Sequence, residues 1–157
     1  VPAVRAMMAA DYVVVAAGGG GVPVVAEPDS GAAGPDGGAG RTLRGVEAVI
    51  DKDLAAAVLG QAVEADVLLI ATDVPRVLLG YGTPGERPLG HVTLGELQAH
   101  ADAGEFGAGS MGPKVEAALR FVRRTGRRAS ICSLDDIVPA LAGDAGTFVT
   151  PDPERKP

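Results

Sequence analysis

Apolar residues in this chain fall into short unbroken runs, separated by stretches where they recur every three or four positions. "YVVVAA" at 12–17 and "VLLIAT" at 67–72 have the length and continuity of strands buried on both faces. "RASICS" at 128–133 and "GTFVTP" from 146 predict two further strands. Helical spacing marks other segments. Residues 3–10 read as the end of a helix, and 53–64 as a helix that Asp51 or Asp53 can cap. Thr93 is a good N-cap for a helix through 102, with Glu96 at the N3 position of a capping box. "MGPKVEAALRFVRRTG" is amphipathic, with Pro113 near its first turn and Gly126 just past its end. "LDDIVPALAG" predicts a short helix broken near Pro139.

Between these elements, "VPVV" at 22–25 reads as extended, since Pro23 biases Val22 away from helix. Residues 26–42, "AEPDSGAAGPDGGAGRT", have little to bury and predict a flexible Gly/Pro/Ala-rich surface loop or hairpin tip. Strands alternating with helices predict an α/β fold on a parallel sheet.

Composition narrows the chemistry. A chain of 157 residues is expected to be one domain. Its net charge of −6 argues against nonspecific nucleic-acid binding but not against an anion in a local pocket. The single cysteine, Cys132, excludes an internal disulfide, suits a reducing cytoplasm and reads as a small buried hydrophobe. "VPAVRAMMAADY" lacks a signal-peptide pattern, and no apolar run approaches the roughly 20 residues of a membrane span. The expectation is a soluble cytoplasmic protein.

Four stretches can carry chemistry. Gly18, Gly19, Gly20 and Gly21 follow an apolar run, and glycines let backbone N–H groups converge on an anion without obstruction. The same glycines serve equally as a tight turn where backbones pack closely. No lysine or helix follows in the pattern of a P-loop or dinucleotide fingerprint. Asp51, Lys52 and Asp53 stand in a row at a helix start, either as a solvated cap or as a lysine held for a phosphoryl oxygen. Lys114 lies in the first turn of a helix, where the dipole disfavours a cation; a bound anion would repair that conflict. Thr72 and Asp73 end a strand, where open α/β sheets bind ligands, or form a turn-stabilising pair. His91 and His100 lack metal-ligand spacing and read as surface residues, and "RFVRRTGRR" as the solvated end of a helix.

Taken in order, "AAGGGGVPVV", "LRGVEAVIDKDLA", "LLIATDV", "YGTPGERPL", "VTLGEL", "GEFGAGSMGPKVEAALRFV" and "GTFV" resemble the C-terminal half of the carbamate kinases, within the amino acid kinase family. The resemblance runs through nearly the whole chain apart from 26–42. It implies an open αβα sandwich with a mostly parallel sheet. It also implies reversible phosphoryl transfer, ATP and carbamate giving ADP and carbamoyl phosphate, with Mg2+. In several organisms the useful direction is ATP synthesis during arginine breakdown. On this basis Gly18–Gly21 lie near the phosphates, Lys52 and Lys114 contact phosphoryl oxygens, and Asp53 organises the lysines. Thr72, Asp73, Tyr81 and Met111 surround the nucleoside, and no protein-held metal site is implied.

The resemblance has departures. Pro75 stands where family members commonly carry an acidic residue, and Gly80 where they commonly carry Asn. The family's N-terminal half, with its "GGNA"-type loop, much of the acceptor site and the homodimer contact, has no counterpart in the 157 residues. The chain is therefore expected to be a single partial domain, the nucleotide-binding half, probing small molecules rather than nucleic acid or membrane, and inactive alone. Another member of the family with a different acceptor, or a non-catalytic nucleotide-binding remnant, fits the same residues.

Overall fold

A computed structural model describes residues 1–33, 39–107 and 109–153. Helix α1 (Pro2–Ala9) opens the chain and buries none of its residues. An antiparallel ribbon follows, β1 (Val24–Ala33) paired with β2 (Ala39–Gly45). Segment 26–42 thus supplies ribbon arms, and residues 34–38 between them lie outside the described residues.

The remainder builds one layered body. Its elements are α2 (Lys52–Ala62), β3 (Val67–Thr72), the two-residue strands β4 (Leu78–Leu79) and β5 (Arg87–Pro88), β6 (His91–Thr93) and α3 (Leu94–Asp102). Then come α4 (Met111–Thr125), β7 (Arg128–Ser133), a 3-10 turn (Leu134–Asp136), α5 (Ile137–Ala142) and β8 (Thr147–Thr150). Local signals set most boundaries. Asp51, rather than Asp53, caps α2, its Oδ1 accepting from the N–H groups of Asp53 at 2.8 Å and Leu54 at 3.0 Å. Thr93 and Glu96 form both halves of the capping box on α3. Gly126 ends α4 at φ 66, a left-handed conformation that glycine adopts without a Cβ clash. The break expected near Pro139 falls earlier, after Asp136, and Pro139 sits in the first turn of α5, where its missing N–H is harmless.

The main sheet has the order β3-β7-β8-β6. β3 pairs parallel with β7, and β6 parallel with β8, but β8 runs antiparallel to β7. Two of the three pairings are parallel, so the sheet is mostly parallel, and it departs from the fully parallel sheet that strand–helix alternation predicts because 134–146 returns β8 beside β7 in the reverse direction. α2, α3 and α4 cover one face, while α5 packs on β7 and β3. Leu68, Ile70, Ala129, Ile131 and Val149 meet the fully buried Phe121, Leu119 and Leu97 in the core of that first face. A Cβ at Gly60 would sit 3.1 Å from the Phe121 ring, so α2 and α4 approach closely at that glycine.

The expectation for the first apolar run is also overturned. Residues 12–17 are not a strand, and Val13 and Val15 are each 97% exposed. Their apolar pattern suits a strand, but among the described residues no neighbour supplies a ladder of hydrogen bonds to them. No helix among the described residues is long and apolar enough to cross a membrane.

Candidate functional site

The N-termini of α2 and α4 converge on a buried ion pair. Asp53, in the first turn of α2, is 8% exposed, and Lys114, in the first turn of α4, is 5% exposed. Lys114 Nζ donates to Asp53 Oδ2 at 2.9 Å. Lys52 Nζ approaches the same oxygen at 3.5 Å, but its side chain stays largely in solvent. One carboxylate thus gathers two lysines where two helix N-termini add positive potential, while the Asp51 carboxylate is engaged in capping α2. Burial of Lys114 is tolerated because Asp53 pairs with it at hydrogen-bond distance. The Ser110 N-cap of α4 makes no side-chain cap bond, so backbone N–H groups of that first turn remain free of one.

The glycine turn abuts this cluster. Gly20 N–H donates to Ala17 O at 2.8 Å, closing the turn. At φ 124, Gly20 passes so near the residue before the α2 cap that a Cβ would meet Ile50 O at 2.2 Å. Gly20 therefore fits the close-packing role that these glycines also allowed. Around Gly18, Gly19 and Gly21 a Cβ would meet nothing within 4 Å, so that side of the turn is open.

A separate cavity of about 370 Å3 begins at the same helix. It brings together three expected residues, Asp73 at the end of β3, Tyr81 and Met111, the first residue of α4. Lys114 lies one helical turn beyond Met111, so cavity and lysine cluster share the start of α4. Thr72 is not on the cavity wall; its hydroxyl donates to Asp73 Oδ1 at 3.0 Å and so orients that carboxylate. Lys52, Asp53, Lys114 and the four glycines lie outside the lining.

The other lining residues escaped the sequence reading, among them Arg76, Glu105 and Phe106. "GEFGAGS" read only as a loop, yet Glu105 Oε2 accepts the Gly80 N–H at 2.9 Å across the cavity mouth. Gly80 has φ +59, and a Cβ there would meet Thr83 Oγ1 at 3.0 Å, so glycine suits this turn. Cys132 is fully buried on β7; burial first, and the Asp136 carboxylate second, push its thiol pKa up, so it stays protonated rather than nucleophilic.

Residues 1–133 match the model of the amino acid kinase family. Carbamate kinase of Thermococcus kodakarensis is 47% identical over 148 residues, covering 94% of this chain and 43% of that protein. Carbamate kinase of Trichomonas vaginalis is 40% identical over 150 residues, 96% of this chain and 45% of its own length. Among solved structures, carbamate kinase from Giardia lamblia bound to AMP-PNP superposes with a TM-score of 0.85 at 37% identity, over 96% of this chain and 49% of that one. The chain spans less than half the length of the relatives it matches.

Proposed function

The chain belongs to the amino acid kinase family, and from that premise we propose that it supplies the nucleotide side of a carbamate-kinase-type phosphotransferase. The reaction is ATP and carbamate to ADP and carbamoyl phosphate, reversibly, with Mg2+. The observation that carries this reading is the Asp53-centred pair of lysines at two converging helix N-termini, beside an open glycine turn and a nucleoside-sized cavity. Lys114, fixed by Asp53, faces one phosphoryl oxygen from a rigid position; Lys52, exposed, closes on another. Backbone N–H groups of Gly18, Gly19 and Gly21 complete the anion cradle, on a turn that the Gly20 N–H closes. Tyr81, Met111 and Asp73, the last held by Thr72, surround the nucleoside.

These parts suit phosphoryl transfer, which asks a protein mainly to position reactants and neutralise charge on the moving group. One charge-assisted hydrogen bond contributes roughly 1.5–3 kcal/mol, which is about ten- to more than a hundredfold in rate if it forms only in the transition state. Mg2+ is expected to arrive on the polyphosphate, its usual mode with nucleotide substrates. A cytoplasmic setting fits both the small-molecule chemistry and the free thiol of Cys132.

A second reading, nucleotide binding without turnover by this chain, rests on its spanning less than half of its relatives. Calorimetric titration of the folded chain with ADP and Mg2+, followed by an assay for ATP from carbamoyl phosphate and ADP, separates the outcomes. Binding with turnover, by the chain alone or with a complementing partner, supports the phosphotransferase. Binding without turnover in either arrangement leaves the second reading. Absence of binding overturns the nucleotide site.

A further inference from the structure

Thr147 is a fully buried polar residue that the reading above leaves idle. It lies on β8, and its hydroxyl makes two bonds to a different part of the chain. It accepts the Val77 N–H at 2.9 Å and donates to Leu89 O at 2.6 Å. Val77 and Leu89 are the two feet of a hairpin, closed by Leu89 N–H to Val77 O at 2.8 Å and by the β4–β5 pairing above it. Phe148 N–H adds a bond to Gly90 O at 2.9 Å. The hairpin is thus nailed to the sheet at its base.

That hairpin is a wall of the cavity, contributing Leu78 and Tyr81. Its far end is tied differently. Gly80 N–H reaches Glu105, which belongs to the loop between α3 and α4 and lines the cavity together with Phe106. The base bond is buried and the mouth bond is exposed.

We infer that Thr147 is a positioning residue for the nucleoside wall and that Glu105 is a latch across its mouth. The two set how tightly the site holds a nucleotide without touching the transferred phosphoryl group. This rests on the nucleotide reading of the cavity. A valine at 147 has nearly the same shape but offers no donor or acceptor, so the Val77 N–H and Leu89 C=O lose their shared buried partner. The wall then loosens at its base. Serine keeps both bonds. At the mouth, loss of the Glu105 carboxylate frees the hairpin end while its base stays fixed.

The test compares Thr147→Val, Thr147→Ser, Glu105→Ala and Leu68→Val in the whole chain, the last trimming a buried core residue on β3, two strands away from β8. Amide hydrogen exchange and ADP binding with Mg2+ are both measured. Thr147→Val should speed exchange at 77–90 while leaving β3 and β7 protected, and weaken ADP about tenfold, the scale of one lost hydrogen bond in an equilibrium constant. Thr147→Ser should match the parent on both. Glu105→Ala should raise the ADP dissociation rate several-fold without exposing the hairpin base. Leu68→Val should lower the melting temperature with ADP affinity unchanged. Should Thr147→Val not fold, Thr147→Cys, with its weak sulfur donor and acceptor, takes its place. Parental exchange and affinity in Thr147→Val overturn the proposal. So does a serine variant that behaves like valine, or a Leu68→Val variant that loses ADP affinity as severely. If the parent chain binds no ADP, the nucleotide reading fails, and hairpin exchange in the Thr147 variants alone decides the clamp.

Discussion

"YVVVAA" and "VLLIAT" are close to interchangeable as strings, yet they end in opposite environments. In β3, Leu68 and Ile70 are 7% and 5% exposed, while Val13 and Val15 stand 97% in solvent. The difference lies outside both segments. β3 has β7 beside it in parallel register from Val67↔Arg128 to Thr72↔Ser133, and α2 and α4 pack over one face. Residues 12–17 have no such neighbour among those described. A strand's hydrogen bonds and half of its burial come from elsewhere in the fold, so an apolar run states a capacity rather than an outcome.

The sharpest way to break this comparison is to cut one side chain from each region. Phe121→Ala, in the core that covers β3, should cost about 3–5 kcal/mol of unfolding free energy through lost burial and a residual cavity. Val13→Ser should stay within about 0.5 kcal/mol, as surface changes do. Urea unfolding followed by circular dichroism measures both. A loss above 1 kcal/mol at Val13, in a range roughly twice the surface norm, would mean that this segment is packed in solution and that the contrast is false.

The same contrast recurs within the charged cluster. Lys114 and Lys52 share one carboxylate, but the first is buried and the second is not. Asp53→Ala leaves Lys114 buried without its partner and should destabilise by about 3–5 kcal/mol. Lys52→Ala removes an exposed, longer ion pair and should cost about 1 kcal/mol or less. Comparable losses in the two variants would show that Lys114 is hydrated in solution.

What could be read in advance follows the same division between local and distant causes. α2, β3, α3, α4, β7 and β8 were legible because each carries its own signals: Asp51, the Thr93–Glu96 box, Gly126, and compact apolar runs. The reverse direction of β8 was not, since no residue within "GTFV" encodes which way its neighbour runs. The cavity walls were hidden for a related reason. Thr147 bonds to residues 70 and 58 positions away and Glu105 to one 25 away, through backbone atoms that every residue possesses. The Asp53–Lys114 pair spans 61 positions, and only resemblance to known kinases drew the two together before the geometry did.

A smaller effect tests the seam between the two regions. Gly20 is the one buried residue among 1–23, and its backbone rests on Ile50. Gly20→Ala meets both a left-handed φ and an overlap with a carbonyl oxygen, a combination that typically costs about 1–3 kcal/mol. Because residues 12–19 are exposed apart from the half-buried Val14, the chain can escape by lifting the glycine turn away from α2. The expected result is a folded variant with near-parental urea unfolding and weakened ADP binding. A full loss of unfolding free energy instead would mean that the turn is an integral part of the layered body.

The weakest expected effect is at the other tether of the N-terminal region. Arg5 Nε donates to Ala62 O at 2.7 Å and its other nitrogen reaches Glu64 at 2.7 Å, joining α1 to the end of α2. Both side chains are more than half exposed, so the ion pair contributes little to global stability, about 0.2–1 kcal/mol. The carbonyl bond matters more locally, because it occupies one of the last unpaired C=O groups of α2. Arg5→Ala should therefore leave the unfolding midpoint nearly unchanged while hydrogen exchange quickens across Pro2–Ala9. Since α1 buries no residue of its own, nothing else within that helix would hold it against α2. Parental protection of α1 in the variant would show that its exposed apolar side chains, Met7 and Met8, find cover in solution, and the division between the two regions would then begin after α1 rather than before it.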